Sequence, residues 1–147
     1  MGRMIFINLP VRDLPAAKAF YAAIGAVSDP RFTDDTAACM TVSEHIHVML
    51  LTHAKFGSFS PRPIPSRETA EVLLCLSADS RKAVDAMCEA AWDAGGRLDP
   101  VPTQDHGVMY GRSFEDPDGH IWEVMWMDPA ALAKGPEAVV AGELEPA

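Results

Sequence analysis

The chain has 147 residues, of which 48% are hydrophobic and 22% are charged, a composition that indicates one globular domain with a substantial core. Its formal net charge of −9 at pH 7 argues against nucleic acid as a partner, because proteins that bind nucleic acid present basic surfaces. The sequence also lacks an apolar run of the roughly 20 residues that span a bilayer, and it therefore predicts no association with a membrane.

The cysteines and the N-terminus indicate where the protein works. Cys39, Cys75 and Cys88 are odd in number and far apart, without a C-x-x-C spacing. This pattern favours neither disulfides nor a thiolate zinc site and is typical of a reducing compartment. The first residues lead directly into strand-like sequence without the cleavage site of a signal peptide. The sequence therefore predicts a cytoplasmic protein.

The first part of the chain predicts four strands and one helix. The predicted strands span residues 5–11, 27–32, 37–42 and 45–52. Asp13 can cap a helix that extends to about Ile24 and ends at Gly25. The apolar residues of this helix recur at the spacing of one helical face; they are Leu14, Ala17, Phe20, Tyr21 and Ile24. Residues 54–67 then predict a loop, because glycine and prolines interrupt the pattern.

The second part of the chain repeats this order of elements. The predicted strands span residues 70–77, 97–101, 108–114 and 120–127. Asp79 or Ser80 can cap a helix that ends at Gly95-Gly96. Its apolar stripe consists of Val84, Met87, Cys88, Ala91 and Trp92.

This repetition predicts an α+β fold of two βαβββ modules in one domain over residues 1–128. Module one spans 4–53, a linker spans 54–69, and module two spans 70–128. A module alone leaves a bare edge and an apolar face. Joining the modules predicts an eight-stranded, open, barrel-like mixed sheet with helices outside and a cup for a small molecule. The edges also favour a homodimer. Residues 129–147 predict one helical turn and an acidic tail.

Two segments carry a resemblance to a known family. The first is Asn8-Leu9-Pro10-Val11-Arg12-Asp13-Leu14, followed by Phe20-Tyr21 and Gly25. The second runs from Gly111 to Glu123 and contains the tight-turn sequence Asp116-Pro117-Asp118-Gly119-His120. They resemble the first strand and helix, and the last hairpin, of vicinal oxygen chelate proteins of the glyoxalase, bleomycin-resistance and dioxygenase type. The resemblance covers roughly residues 4–128.

In that family each module supplies two metal ligands, usually His, Gln or Glu, and the metal binds two adjacent oxygens of a substrate or intermediate. The resemblance implies ligand positions at Phe6, Leu50, Leu73 and Glu123 of this sequence. Only Glu123 matches, because phenyl and isobutyl groups have no lone pair to donate. We therefore expect no cofactor, and a divalent metal only if these positions are misassigned.

Glu123 is the candidate catalytic residue, either as a general base or as the remnant of a metal site. A carboxylate that faces apolar neighbours needs a partner, for example Asn8 or water, and a purely structural role is the alternative. The residues expected to line the cup are Phe6, Asn8, Leu50, Leu73, Cys75, His106 and Met125. Tyr110 and Arg112 flank the last hairpin and either bind an anionic group or support the hairpin.

The histidines offer further candidates. His45 and His47 share a face of a predicted strand, but the glutamate and later histidine of a cupin-type metal site do not follow them. His106 lies in a predicted loop beside the cup and can act as an acid or base, although most exposed loop histidines have no such role. His120 belongs to the turn and is predicted to be structural.

The sequence contains no P-loop, dinucleotide fingerprint, G-x-S-x-G or H-E-x-x-H motif. The leading prediction is a protein similar to the glyoxalase and bleomycin-resistance family that binds a cationic or aromatic small molecule in the cup, without the metal site typical of that family. The first alternative is a metal-dependent lyase similar to lactoylglutathione lyase, or a dioxygenase-like enzyme, that uses Glu123. The second alternative is an interaction domain without a small ligand.

Overall fold

A computed structural model describes residues 2–135 of the chain, which form two mixed sheets and four helices. The strands are Ile5–Val11 (β1), Val27–Asp29 (β2), Ala37–Ser43 (β3), Ile46–Thr52 (β4), Leu74–Ser77 (β5), Arg97–Leu98 (β6), Gln104–Asp105 (β7), Met109–Glu115 (β8) and Ile121–Met127 (β9). The helices are Leu14–Ala23 (α1), His53–Phe59 (α2), Arg81–Asp93 (α3) and Pro129–Lys134 (α4), with a 3-10 turn at Pro30–Phe32. Within the described residues, none of these helices has the length and apolar character needed to cross a membrane.

Each sheet is built from one module, βαβββ in the first half and the same order with one additional short strand, β7, in the second. The first sheet has the order β1-β4-β3-β2, with β1 parallel to β4 and the other pairs antiparallel. The second sheet has the order β5-β9-β8-β6, with β5 parallel to β9, and β7 pairs with β8. The sheets do not close on themselves. The predicted α+β fold of two open βαβββ modules is therefore confirmed.

The two long helices begin and end where local sequence signals predict. The Asp13 carboxylate accepts a hydrogen bond from the Ala16 N–H at 3.0 Å and caps α1. Of the two candidate caps for α3, Ser80 is the one used, since its Oγ accepts from the Ala83 N–H at 3.0 Å. After both helices the chain turns at a glycine with positive φ, 109° at Gly25 and 97° at Gly95.

Several predicted features differ from the structure. The strand over 27–32 ends at Asp29 and is followed by the 3-10 turn, the strand over 70–77 begins only at Leu74, and β7 is not predicted. The loop over 54–67 contains most of α2, because Thr52 Oγ1 accepts from the Lys55 N–H at 3.2 Å and caps a helix there. The strand expected over 97–101 is reduced to β6, because Asp99 turns the chain with a positive φ of 56°. Trp92, expected on the apolar stripe of α3, is 60% exposed.

The C-terminal end is described only in part. The helical turn expected after residue 128 is present as α4, which Asp128 caps through a 2.8 Å hydrogen bond from the Ala130 N–H. Ala131 of this helix is buried. The predicted acidic tail, residues 136–147, lies outside the described residues.

One core joins the two modules, and α1 lies at its centre. The helix packs on β3 and β4 of its own sheet, while the Phe20 ring lies 6.0 Å from that of Phe114 and the Tyr21 ring 6.1 Å from that of Trp122, both in the second sheet. Trp122 Nε1 donates to the Tyr21 hydroxyl at 2.9 Å, and this hydroxyl donates to buried Asp116 at 2.6 Å. Because both sheets turn one face toward this core, their other faces point away from it. We call these the first and second open faces.

Candidate functional site

The first open face is defined by strand alternation in β1, β3 and β4. Leu9 and Val11 of β1 are buried in the core, so the alternate side chains of that strand lie on the opposite face. The strand register then adds the residues paired with them in β4 and those next to them in β3. The first open face thus includes Phe6, Asn8, Cys39, His47 and Met49.

A cavity of about 420 Å³ opens on this face. Its apolar wall is formed by Met4, Phe6, Phe32 and Met49, and Asp29, Arg31 and His47 also line it. Phe6 is 50% exposed and Phe32 is 61% exposed. A concave surface with exposed aromatic and thioether groups is the usual character of a small-molecule site.

The charged groups at the edge of this cavity neutralise each other. Arg31 Nη2 lies 2.8 Å from Asp29 Oδ2, and its guanidinium lies over the Phe32 ring, 5.4 Å from the centroid. Hydrogen bonding from Arg31 holds the pKa of Asp29 below its ordinary value. The edge therefore carries no net charge of its own.

His47 is the polar group within this apolar surface. Its ring stacks on Phe6 with centroids 4.9 Å apart, and Nδ1 lies 3.0 Å from Thr41 Oγ1. The other ring nitrogen, Nε2, is buried and has no hydrogen-bond partner among residues 2–135. An unsatisfied buried polar atom costs free energy, and such an atom beside a cavity is a point at which a ligand can gain specificity.

The second open face is smaller and more polar. Trp122 and Val124 of β9 are buried in the core, so Glu123 and Met125 lie on the opposite face. Strand pairing places Cys75 and Ser113 on either side of Glu123. The cavity here has a volume of only about 50 Å³, which is room for a water molecule or two.

The groups around Glu123 do not form a catalytic pair with it. Burial, reinforced by the negative charge of Glu123, raises the pKa of the Cys75 thiol, so this thiol stays protonated at neutral pH and is a poor nucleophile. Ser113 turns toward Val101: its Oγ donates to the Val101 carbonyl at 2.9 Å and accepts from the Val101 N–H at 2.9 Å. Glu123 itself is half-buried.

Leu50, which is predicted to line the cup, lies in the core. Leu50 pairs with Leu9 and is completely buried in the core. The placement of Leu50 on the cup surface is therefore wrong, because a shift of one residue along a strand exchanges its two faces. Met49 occupies the open face instead.

Four of the other predicted cup residues are divided between the two faces. Phe6 and Asn8 lie on the first, while Cys75 and Met125 lie on the second. Leu73 is exposed just before β5. The structure brings Asn8 beside Met49 and does not bring it beside Glu123.

The polar candidates at the hairpin have structural partners. Arg112 lies 3.1 Å from Asp85 and 3.1 Å from Asp99, and the Tyr110 hydroxyl donates to Asp85 at 2.7 Å. These bonds favour hairpin support over the binding of an anionic group. His106 lies in the turn between β7 and β8, where its backbone N–H donates to the Met109 carbonyl at 2.8 Å.

The donor groups on the two faces do not fit the metal centre that the resemblance implies. The residues at and beside the expected ligand positions are mostly apolar, and the Cys75 thiol is held protonated. Within residues 2–135, no three His, Cys, Asp or Glu side chains are grouped so as to hold a metal ion. Glu123 alone is a weak ligand for a divalent ion.

Sequence reasoning missed most of the first open face. The predicted cup residues include neither Met49 nor Cys39, and the sequence offers His47 only as half of an incomplete metal-ligand pair with His45. The sequence alone does not give the register of β1 against β4; once that register is known, parity places the parallel partner of Phe6 on the same face. The partner is His47.

Residues 3–124 match the family model described as Glyoxalase/Bleomycin resistance protein/Dioxygenase superfamily. A solved hypothetical protein from S. aureus is 25% identical, with a TM-score of 0.72 over 86% of this chain and 95% of that one. A glyoxalase/bleomycin resistance protein/dioxygenase family enzyme from Burkholderia phytofirmans PsJN is 19% identical, with a TM-score of 0.70 over 86% and 99%. The antibiotic binding protein TnmS3 from Streptomyces sp. CB03234 is 19% identical, with a TM-score of 0.61 over 87% and 98%. No curated protein matches the sequence.

Proposed function

The chain belongs to the glyoxalase/bleomycin resistance protein/dioxygenase superfamily, and from this premise we propose that it binds an aromatic small molecule on the first open face without a metal. The observation that carries this proposal is the cavity of about 420 Å³, with its largely apolar wall. Its volume is within the range of ligand-binding pockets. Among proteins with this fold, TnmS3 is described as an antibiotic binding protein, which supports binding without a stated reaction.

The chemistry of the face favours a flat aromatic ligand with a hydrogen-bonding group. The stacked rings of Phe6 and His47 offer a platform for offset stacking, and Met49 can adapt to an irregular outline. A polar group on the ligand would satisfy His47 Nε2. The net charge of −9 favours the approach of a cationic ligand through the overall field.

We further propose that two chains complete the cup in a homodimer. The open faces lie on opposite sides of one core, so a single chain offers two separate half-sites. If the first open face is covered by the second open face of another copy, the apolar wall meets the partner's Glu123.

The three cysteines have no disulfide, which is consistent with a cytoplasmic protein.

The binding proposal is tested with ethidium, a cationic planar aromatic dye, in a fluorescence titration. Phe6→Ala removes half of the stacking platform, and we expect it to weaken ethidium binding by about tenfold. Phe59→Ala is the matched control, because Phe59 is 66% exposed and lines neither of the cavities of the open faces. Equal affinities of the wild type and Phe6→Ala would contradict the proposed site.

Two further measurements test the dimer and the absence of a metal. Light scattering at micromolar concentration should give the mass of two chains, and a monomer mass would contradict the shared cup. Elemental analysis of protein purified without added metal should give less than about half an equivalent of divalent metal. Stoichiometric nickel, zinc or iron that only a chelator removes would instead favour the lyase.

A further inference from the structure

A separate cavity of about 250 Å³ lies where three segments of the chain meet. The end of β1 contributes Pro10 and Arg12, the linker contributes residues 64–67 and Thr69, and the turn between β8 and β9 contributes residues 118–120. His53 also lines the cavity. None of these residues lines the cavities of the two open faces, so this cavity is a different site.

Two guanidinium groups converge at this cavity. Arg67 Nη1 donates to the Pro117 carbonyl at 2.8 Å, and Arg12 Nη2 donates to the same oxygen at 3.3 Å. Guanidinium groups are suited to bidentate recognition of an oxyanion.

The charges that line the cavity leave one arginine without a counter-ion. Asp118 accepts hydrogen bonds from the backbone N–H of Arg12 at 2.9 Å and from its Nε at 3.4 Å, so this carboxylate neutralises Arg12. Among residues 2–135, Arg67 forms no ion pair with a carboxylate. The cavity therefore carries about one net positive charge on a chain whose overall charge is strongly negative.

Hydroxyl groups add hydrogen-bond donors. Ser66 Oγ and Thr69 Oγ1 lie 3.4 Å apart. One hydrogen bond between them uses only one of the two O–H groups, while the Glu68 N–H donates to Ser66 Oγ at 3.2 Å. One hydroxyl proton therefore remains available to a ligand in the cavity.

The exposed Arg67 side chain is positioned by contact with the turn at Gly119 as well as by its hydrogen bond. Gly119 has a φ of +90°, and a Cβ atom at that position would lie 2.7 Å from Arg67 Cγ. The glycine therefore meets two needs, the turn conformation and the passage of the Arg67 side chain across the turn. A side chain held in this way loses less entropy when a ligand binds.

We propose that this cavity binds phosphate or the phosphoryl group of a small molecule, and we call it the arginine cleft (Arg12, His53, Ser66, Arg67 and Thr69). A phosphoryl group presents several charged oxygens to donors that arrive from different directions. The cleft supplies such donors from the end of β1 and from the linker. A volume of about 250 Å³ leaves room for a small organic group attached to the phosphorus.

The test is a calorimetric titration with inorganic phosphate and with glycerol 3-phosphate at constant ionic strength. We expect saturable binding on the order of millimolar and a loss of about tenfold in affinity for Arg67→Gln. Arg62→Gln is the matched control, because Arg62 is an exposed arginine of the same linker that does not line the cleft; its affinity should equal that of the wild type. Arg12→Gln should also weaken binding and serves as the second variant if Arg67→Gln does not fold.

The outcomes distinguish a binding role of Arg67 from a purely structural one. If Arg67→Gln lowers the melting temperature but keeps the wild-type phosphate affinity, or if Arg62→Gln loses as much affinity, the proposal is wrong. Absence of saturable binding by either anion also overturns it. Binding of both anions supports a site for phosphoryl groups, whereas binding of inorganic phosphate alone supports a site for the free ion. Ethidium affinity should be unchanged in Arg67→Gln, so failure here leaves the first open face unaffected.

Discussion

The two open faces arise from the same order of strands and helices, yet they differ in volume and chemistry. The first surrounds a cavity of about 420 Å³ with a largely apolar wall. The second leaves only about 50 Å³ beside Cys75 and Glu123. Topology determines which positions point outward, but the side chains at those positions determine whether a face offers apolar area or polar groups.

Under the proposed binding function, this difference implies a division of roles between the faces. An apolar face supplies most of the binding free energy through burial, whereas a half-buried carboxylate supplies orientation or selectivity for a cation. Because both faces are attached to one core, a change in that core should affect them together. Changes on one face should leave the other intact.

The largest loss of stability is expected when the hydrogen bonds between α1 and the second module are removed. Tyr21→Phe removes the hydroxyl that donates to Asp116 and accepts from Trp122. Two buried polar groups then lose a partner, and we expect a loss of about 2–4 kcal/mol in the free energy of unfolding at neutral pH. Chemical denaturation should still show one transition, because one core serves both modules.

Tyr110→Phe is the matched control for this change. The Tyr110 hydroxyl donates to Asp85 at 2.7 Å, but the Asp85 side chain is 43% exposed, so water can replace the lost bond. Its cost should be below about 1 kcal/mol. Equal losses for the two variants, or two separate transitions in Tyr21→Phe, would show that the modules do not depend on a shared core.

The cost of Tyr21→Phe should depend on pH. Burial raises the pKa of Asp116, while the hydrogen bond from Tyr21 opposes this rise. A carboxyl group with a raised folded pKa stabilises the fold below its unfolded pKa, and this contribution is lost as pH rises through the folded pKa. Tyr21→Phe raises the pKa of Asp116 in the folded state further. The loss in the free energy of unfolding relative to the wild type should therefore be largest near pH 7 and should shrink on acidification. Denaturation curves of the wild type and the variant, recorded near pH 7 and at acidic pH, measure this difference in the free energy of unfolding.

A smaller loss in the free energy of unfolding is expected from a change in β8, on the core side of the second sheet. Arg112→Gln breaks the contacts of the guanidinium with Asp85 and Asp99, both 3.1 Å long. These contacts connect α3 and the turn after β6 to β8, and we expect a loss of about 1–2 kcal/mol that decreases at high salt. Ethidium affinity at the first open face should not change. Arg97→Gln is the control, because Arg97 forms only a 3.7 Å contact with Glu115 and its side chain is 73% exposed.

Local signals were sufficient to predict the modules. Caps such as Asp13 and Ser80, and glycines such as Gly25 and Gly95, act within a few residues, and they determined the bounds of α1 and α3 to within about two residues. The final hairpin was also recognisable, because its turn sequence has few alternative conformations.

Features that depend on distant contacts were not predictable in the same way. Val48, Met49, Leu50 and Leu51 form a continuous apolar run, so alternation could not show that Met49 and not Leu50 lies on the open face. The contact between Tyr21 and Trp122 joins residues 101 positions apart, and no local pattern encodes it. The same holds for the arginine cleft, where Arg67 of the linker meets a turn far along the chain.

The smallest effect is expected on the second open face, from Glu123→Gln. The half-buried carboxylate lies beside Cys75, whose thiol is protonated. The amide removes the cost of desolvating a charge and keeps most of the hydrogen-bonding capacity. The free energy of unfolding at neutral pH should therefore stay the same or rise by less than about 1 kcal/mol. If Glu123 instead binds a cation, the amide is a poorer ligand, and stability and metal content should fall together. Thermal melts of wild type and variant, each with and without a strong chelator, separate these cases: a less stable variant whose deficit vanishes in chelator would mean that the second face holds a metal.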